Sequence, residues 1–538
     1  MVVPELGPWR AARPHVVRVA NAVRPRLAHA ATTVKPQVAR LTRAVKPQLA
    51  RFAQLPGPQT VRTWQYTAVA ATAGLALAAV AATAAGPWDG NGQRTAERDR
   101  AAALGRSGGA DHEGAETDTS AGTPRPAPSA ASVLTALGGA SSAVDTKKAA
   151  PVPKALGDVL GPLLGAPALG GTHTAAVVDL ASGRSLYATD AGRALAPAST
   201  TKIATAAAAL SALGPDRRLT TRAVLEPDTR ELVLVGGGDP TLTAHDQAAG
   251  WASLRTLADG TAAALGKRGI HEITLSYDTT LYAGPELHSI GVNENLAPVS
   301  ALTADEGRTN GSMSGPVTRV SDPAADAARK FAGFLGKSGI RTTSPGPSKA
   351  TTRAQTLAAV SSPPLSALVE RMLTNSDNDI AEALARQTAL VTGQRPSFDG
   401  GARAIATQLG KLNLPLAGAA FHDGSGLDRD DRLTANLLTA LLVKAGDPAH
   451  PGLRPILTGL PVAGFTGTLA GRYAGGAAGL VRAKTGTLTG VNTLAGTVVD
   501  RDGRLLAFAF LASGTDNAPA AQAALDKTAT ALAGCGCD

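Results

Sequence analysis

The sequence predicts an α/β protein. An antiparallel sheet flanked by helices is closed by strands from both ends of the folded region, an α/β domain is inserted in its middle, and a transmembrane helix comes first. Three observations predict it. "HTAAVVDLASGRSLYATD" (173–190) reads as two alternating strands about a turn at Ser182 and Gly183, and "GLVRAKTGTLTGVNTLAGTVVDRDGRLLAFAFLAS" (479–513) reads as three, with a turn at Asp502 and Gly503. Helical patterns fill the interval, so strands at the two ends must meet in one sheet. Ahead of all this, Tyr66 to Gly86 carries no charge over a membrane-spanning length.

Residues 1–62 hold eleven Lys/Arg and one acid, a net of +10 that equals the formal charge of the whole 538-residue chain. The remainder is balanced, which argues against a nucleic-acid surface. Pro14, Pro25, Pro36, Pro47 and Pro58 recur every eleven residues, and Arg18, His29, Arg40, Arg51 and Arg62 each follow four positions later. Short basic amphipathic segments joined at prolines, suited to an anionic inner leaflet or an unknown partner protein, and a disordered basic leader both fit this pattern.

The span, placed at 63–88, is framed by Trp64, Tyr66 and Trp88 as by interfacial anchors. Bases precede it and "DGNG" follows, so the positive-inside rule puts the N-terminus in the cytoplasm and the rest outside the cell membrane. "ATA" at 82–84 resembles a cleavage site, but the leader is long for a signal peptide, so the expectation is an uncleaved single-pass anchor. Residues 89–152 are Gly, Ala, Pro, Ser and Thr with scattered charge, a flexible tether.

The folded part then divides into a catalytic domain (153–215 and 361–538) and an inserted domain (216–360). Two similar pieces mark the insertion, a helix ending "LGKRGI" before the strand "HEITLSYD" and another ending "LGKSGI". A final helix is expected over roughly 519–532. Cys535 and Cys537, in "CGCD", cannot make a disulfide framework, and a small ring, an interchain pair and a loose tail all remain open. The nine histidines form no HExxH or Cys/His cluster, so no metal and no cofactor is expected.

The chemistry begins at "PASTTKIATAAAAL" (197–210). If the alanine-rich run is helical, Lys202 shares a face with Ser199 three residues earlier, a nucleophile beside a possible base. By itself this pair also reads as a helix cap and a solvated lysine. "TNSDNDIAEALAR" then offers Ser376, Asp377 and Asn378 before an amphipathic helix, and "RAKTGTL" puts Lys484, Thr485, Gly486 and Thr487 on a strand. SxxK, SDN and KTG in that order, each once, form the serine set shared by class A β-lactamases and penicillin-binding proteins.

With "VGGGDPTL" (235–242), "APVSALTADEG" (297–307) and "DGSGLDRDDRLTA" (423–435), the region 155–533 resembles the D-Ala-D-Ala carboxypeptidase/endopeptidase family, the class C low-molecular-mass penicillin-binding proteins. The 177 positions from Ser199 to Ser376 fit that family's large insertion. Asp428 stands where the family's "DGSGLSR" has a serine, a departure that bears on substrate preference.

The resemblance implies a penicillin-binding/β-lactamase-like serine transpeptidase fold. It also implies a serine D-Ala-D-Ala carboxypeptidase, with possible endopeptidase activity, acting on peptidoglycan stem peptides and inhibited by β-lactams. Lys202 would take the Ser199 proton, Asn378 would orient Lys202, and Ser376 would pass a proton to the leaving nitrogen. Lys484, Thr485 and Thr487 would hold the terminal carboxylate, and the N–H groups of Ser199 and Thr487 would form the oxyanion hole. A membrane receptor that binds muropeptide or β-lactam without turnover and signals through the tail is the alternative.

Three other patterns are set aside. "GGGDP" lacks the lysine and serine of a phosphate loop and reads as a turn. "DGSGLDRDD" lacks calcium-ligand spacing and reads as a loop lining the site. His422 beside Asp423 hints at a Ser-His-Asp enzyme, but the only GxSxG, at 105–109, lies in the tether.

Overall fold

A computed structural model describes residues 153–473 and 476–535, all within one compact unit, Ser129–Asp538. The basic tail, the 63–88 span, the tether and Cys537 lie outside the described residues. No described helix is long and apolar enough to cross a membrane. Cys535 is disulfide-bonded.

Helix α1 (Pro153–Leu164) leads into the hairpin β1 (Thr172–Asp179) and β2 (Ser185–Thr189). Its turn forms where the sequence predicts one, because Asp179 accepts from the Ser182 N–H at 2.8 Å and Gly183 takes φ 68°. Helix α2 (Thr201–Leu213) is buried on every side from Thr201 to Leu210, as an alanine-rich helix in the middle of a core must be. It starts at Thr201, preceded by a 3₁₀ turn at Ala198–Thr200, so Ser199 sits in the turn and does not cap the helix.

A second sheet follows, built from β3 (Thr220–Leu225), β4 (Glu231–Val235), β5 (Glu272–Asp278), β6 (Arg341–Thr342), β7 (Gly346–Pro347) and β8 (Gln355–Ser361). Its order is β6-β5-β4-β3-β8, with β7 on β5. Helices α3 (Leu254–Gly266) and α4 (Pro323–Lys337) connect its parallel pairs β4–β5 and β5–β6. The repeated "LGKxGI" has one cause in both places, since Gly269 (φ 65°) and Gly339 (φ 82°) turn the chain out of each helix in a conformation other residues resist.

The chain then returns through α5 (Leu365–Asn375), α6 (Asn378–Val391), α7 (Phe398–Lys411) and α8 (Ala435–Gly446). Strands β9 (Val481–Leu488), β10 (Val491–Val499) and β11 (Leu505–Ser513) and helix α9 (Ala518–Ala533) complete it. The first sheet runs β2-β1-β11-β10-β9, antiparallel throughout, with β1 and β11 paired from Thr172↔Ser513 to Asp179↔Leu506. Both ends of the folded region therefore close one sheet, as predicted. One apolar core joins its helical face to α2, α5, α6, α7 and α8, another packs α1 and α9 on the opposite face, and a third lies between the second sheet and α3 and α4. This arrangement leaves β9 as an edge strand facing the start of α2.

Candidate active site

The site lies where α2, the α5–α6 junction and β9 converge, around a cleft of roughly 350 Å³ lined in part by Ser199, Ser376, Asn378, Thr485 and Thr487. Each motif is placed by its local structure. The turn before α2 holds Ala198 at φ 48° and leaves Ser199 half-buried, with its hydroxyl at the cleft. Ser376 takes φ 59° as the left-handed residue that ends α5, and Asp377 caps α6 by accepting from the Ile380 N–H at 3.0 Å. Two helices thus meet in a two-residue break, and Asn378 becomes the first residue of α6. The strained Ser376 backbone is what aims its side chain into the cleft.

Gly486 is explained by space. A Cβ there would lie 2.1 Å from Thr493 Oγ1 and 2.6 Å from the Pro197 carbonyl, so only glycine lets β9 pack against the turn that carries Ser199. Its part is to set spacing. Ala483 N–H donates outward to Pro461 O, so the two-residue period of the strand directs the Thr485 and Thr487 N–H groups to the same open edge. Thr485 Oγ1 donates to Thr468 Oγ1 at 3.0 Å, and the exposed Thr487 hydroxyl accepts from Gln522 at 3.2 Å.

The two lysines are wholly buried. Lys202 Nζ lies 3.0 Å from Ser199 Oγ, 2.6 Å from Asn378 Oδ1 and 2.7 Å from the Ser425 carbonyl. Burial lowers its pKa from 10.5 to about 8, against the opposing pull of Asp423, Glu382, Asp377 and Asp379. In the neutral amine the two acceptors take the two N–H bonds, which leaves the lone pair directed at Ser199. Lys484 Nζ donates to Ser376 Oγ at 2.8 Å and to the Thr485 carbonyl at 2.7 Å. Burial, followed by the charge of Lys202, pushes the Lys484 pKa well below the ordinary lysine value.

The structure brings Ser199, Ser376, Asn378, Thr485 and Thr487 together in the lining of one cleft, with Lys202 and Lys484 buried behind Ser199 and Ser376, from positions spread over almost three hundred residues of chain. This arrangement admits acyl transfer, with a nucleophile, a base with a lowered pKa, a second hydroxyl on a lysine, and an open strand edge. A family model of the D-Ala-D-Ala carboxypeptidase 3 (S13) family matches residues 158–316 and 310–532. The chain belongs to that family.

Among its relatives, this S13 chain is 37% identical over 416 residues to the carboxypeptidase DacB of Mycolicibacterium smegmatis, covering 73% of this chain and 87% of the relative. It is 32% identical to the D-alanyl-D-alanine carboxypeptidase of an Actinomadura species, covering 68% and 82%. The crystal structure of penicillin-binding protein 4 (dacB) from Haemophilus influenzae superposes with a TM-score of 0.56 at 22% identity, covering 70% of this chain and 97% of that one. The fold is therefore the α/β penicillin-binding type.

The site also contains groups that the three motifs do not announce. The Ser425 carbonyl belongs to the 423–428 loop, read from sequence only as a lining. Behind it lie Asp423, Glu382 and His288, buried, with ligand atoms within 4.8 Å of one another. Asp423 accepts from the N–H groups of Ser425, Gly426 and Asp428, and Glu382 accepts from that of Gly424 at Oε1, while its buried Oε2 has no hydrogen-bond partner. Burial, followed by the Asp423 charge, raises the Glu382 pKa to about 7. A signal for Glu382 was present, because Asn378, Glu382 and Arg386 recur every four residues and so share one helical face. His422, the other half of the Ser-His-Asp pattern, is paired with Asp431 and is not in the cleft lining.

Proposed function

We propose that the protein removes the terminal D-Ala from peptidoglycan stem peptides through an acyl-enzyme on Ser199. Lys202, as the free amine, takes the Ser199 proton while Oγ bonds to the penultimate carbonyl carbon. The developing oxyanion is met by the N–H groups of Ser199 and Thr487. Ser376 donates its proton to the D-Ala nitrogen as the C–N bond breaks and is reprotonated through Lys484, the proton that Lys202 took from Ser199 making good the loss. Water then attacks the ester, the acid leaves and Ser199 recovers its proton. Thr485, Thr487 and Lys484 receive the terminal carboxylate at the open edge of β9, where the substrate backbone can add as a further strand. A β-lactam presents the same carboxylate and acyl group, so it acylates the same serine. A Haemophilus influenzae protein of this fold has been crystallised with a β-lactam.

The single observation that carries this reading is the set of three bonds at Lys202 Nζ, which aims a partly deprotonated amine at a half-buried serine. Release of D-Ala from a pentapeptide, and covalent labelling by a fluorescent penicillin, are expected in the wild type and absent in Ser199→Ala. Labelling without release would favour a receptor that does not turn over. The same assay on a cross-linked dimer reads endopeptidase activity.

We infer further that the 63–88 segment anchors the protein with residues 1–62 in the cytoplasm and the catalytic part at the wall. External protease on wall-stripped cells should release the catalytic part and leave a tag at residue 1 intact. Loss of that tag would overturn the orientation.

A further inference from the structure

Both acceptors that orient Lys202 are tied to one stretch outside the three motifs, the loop after β5. Asn378 donates to the Asn295 carbonyl at 2.9 Å. The second acceptor, the Ser425 carbonyl, sits on a loop organised around the buried Asp423 carboxylate. Oδ1 of that carboxylate accepts from Ser425 N–H at 3.0 Å and Gly426 N–H at 2.6 Å, and Oδ2 accepts from Asp428 N–H at 2.7 Å and Ser425 Oγ at 3.1 Å. The remaining partner of Oδ2 is His288 Nε2 at 3.1 Å, from the loop after β5. There is little slack in this loop. A Cβ on Gly426 (φ 81°) would fall 2.0 Å from the carbonyl of Ala198, the residue before the nucleophile.

His288 is itself fixed. It is buried edge-on against the Phe398 ring at 5.0 Å, and its Nδ1 accepts from the Ile290 N–H at 3.2 Å. An Nδ1 that accepts leaves Nε2 as the nitrogen that carries the proton and donates to Asp423. Its flanks, Leu287 and Ile290, are partly exposed, so the histidine is the inward anchor of this stretch.

We propose that His288 is a positioning residue for the acylation step, holding Asp423 and, through the 423–428 loop, the Ser425 carbonyl that directs the Lys202 amine at Ser199. The inference rests on the assignment of Ser199 and Lys202 above. An amine with only Asn378 to orient it can rotate its lone pair off the serine hydroxyl. Misplacement of this kind is enough to cost about 100-fold in rate without any change in the groups that bind substrate. The charged and titratable groups facing Lys202 are Asp423, Glu382, Asp377, Asp379 and Lys484. Those facing His288 are Asp423, Glu382 and Asp428.

The test separates the two ring nitrogens in the full-length protein. In His288→Gln the side-chain amide can still donate to Asp423, whereas in His288→Asn the oxygen can still accept from Ile290 but the donor to Asp423 is lost. Penicillin acylation rates across pH, and kcat and KM for D-Ala release, are measured beside thermal melting. The expected result is His288→Gln near wild type and His288→Asn slower in acylation and kcat by about 10- to 100-fold with KM unchanged. The acid limb of the acylation profile moves to lower pH in His288→Asn, because the ammonium form of Lys202 loses an acceptor.

Equal behaviour of the two variants, wild-type acylation in His288→Asn, or losses that follow melting with no movement of the limb would each overturn the proposal. Labelling that persists in Ser199→Ala would instead overturn the underlying assignment, so the two failures are distinguishable.

Discussion

Lys202 and Lys484 lie behind one cleft, both are wholly buried, and each has a serine hydroxyl within 3.0 Å of its Nζ, yet their surroundings differ in sign. Lys202 is near Asp423, Glu382, Asp377 and Asp379, which hold its pKa up at about 8 against burial. For Lys484 burial comes first and the charge of Lys202 second, and both push its pKa down, well below the ordinary lysine value. Equal burial therefore gives two lysines with different uses. One is poised to exchange a proton near neutral pH, and the other would gain an anion from a bound carboxylate in the proposed mechanism.

The sharpest way to break this comparison is to remove each lysine. Lys202→Ala should reduce penicillin acylation by about 10³-fold, in the range of a lost general base. Lys484→Ala should reduce kcat/KM by about 10- to 100-fold, the worth of a lost charge-assisted hydrogen bond. Amidating the substrate's terminal carboxylate should hurt the wild type far more than Lys484→Ala. An equal loss in both would remove Lys484 from carboxylate binding.

Proton linkage sharpens the contrast. A carboxylate bound beside Lys484 restores its ammonium form, so binding a D-Ala-D-Ala peptide should take up a proton at pH values between the lowered Lys484 pKa and the ordinary 10.5. Calorimetry in two buffers of different ionisation enthalpy reads this uptake, and Lys484→Ala should abolish it. For Lys202 the active form is the free amine, so acylation should climb tenfold per pH unit and level off above about 8. A profile already flat at pH 6 would mean that another group is the base.

A smaller effect is expected at the loop that departs from the family's usual sequence. Asp428 accepts from Ser289 Oγ at 3.2 Å in an exposed pair, so Asp428→Ser should leave acylation within about twofold, as a solvated hydrogen bond implies. A large change in acylation would show that this carboxylate acts on the lysine region and not only at the rim.

Much of the fold and site was legible because it rests on local rules. Alternation gave the strands at both ends, and the turns at Gly183 and Gly503 (φ 80°) are where glycine is needed. Ser199, Lys202, Ser376, Asn378, Lys484, Thr485 and Thr487 were identifiable from three short motifs. The exact start of α2 was not, because a 3₁₀ turn at Ala198–Thr200 is held from outside the helix. Thr493 Oγ1 donates to the Pro197 carbonyl at 2.8 Å from almost three hundred residues away.

By itself the sequence determined which residues are the candidates for the chemistry, the strand and helix pattern that presents them, and the place of the insertion between the first and second motif. These follow from side-chain reactivity and from the short periods of helix and strand, both local properties of the chain. Only the tertiary structure decided which lysine lies among carboxylates, that the Ser425 carbonyl is the second acceptor of Lys202, and that His288 and Asp423 stand behind it. A pKa and a lone-pair direction depend on desolvation and on charges within a few ångströms. Those distances are set by contacts between residues far apart in sequence, so no periodicity records them.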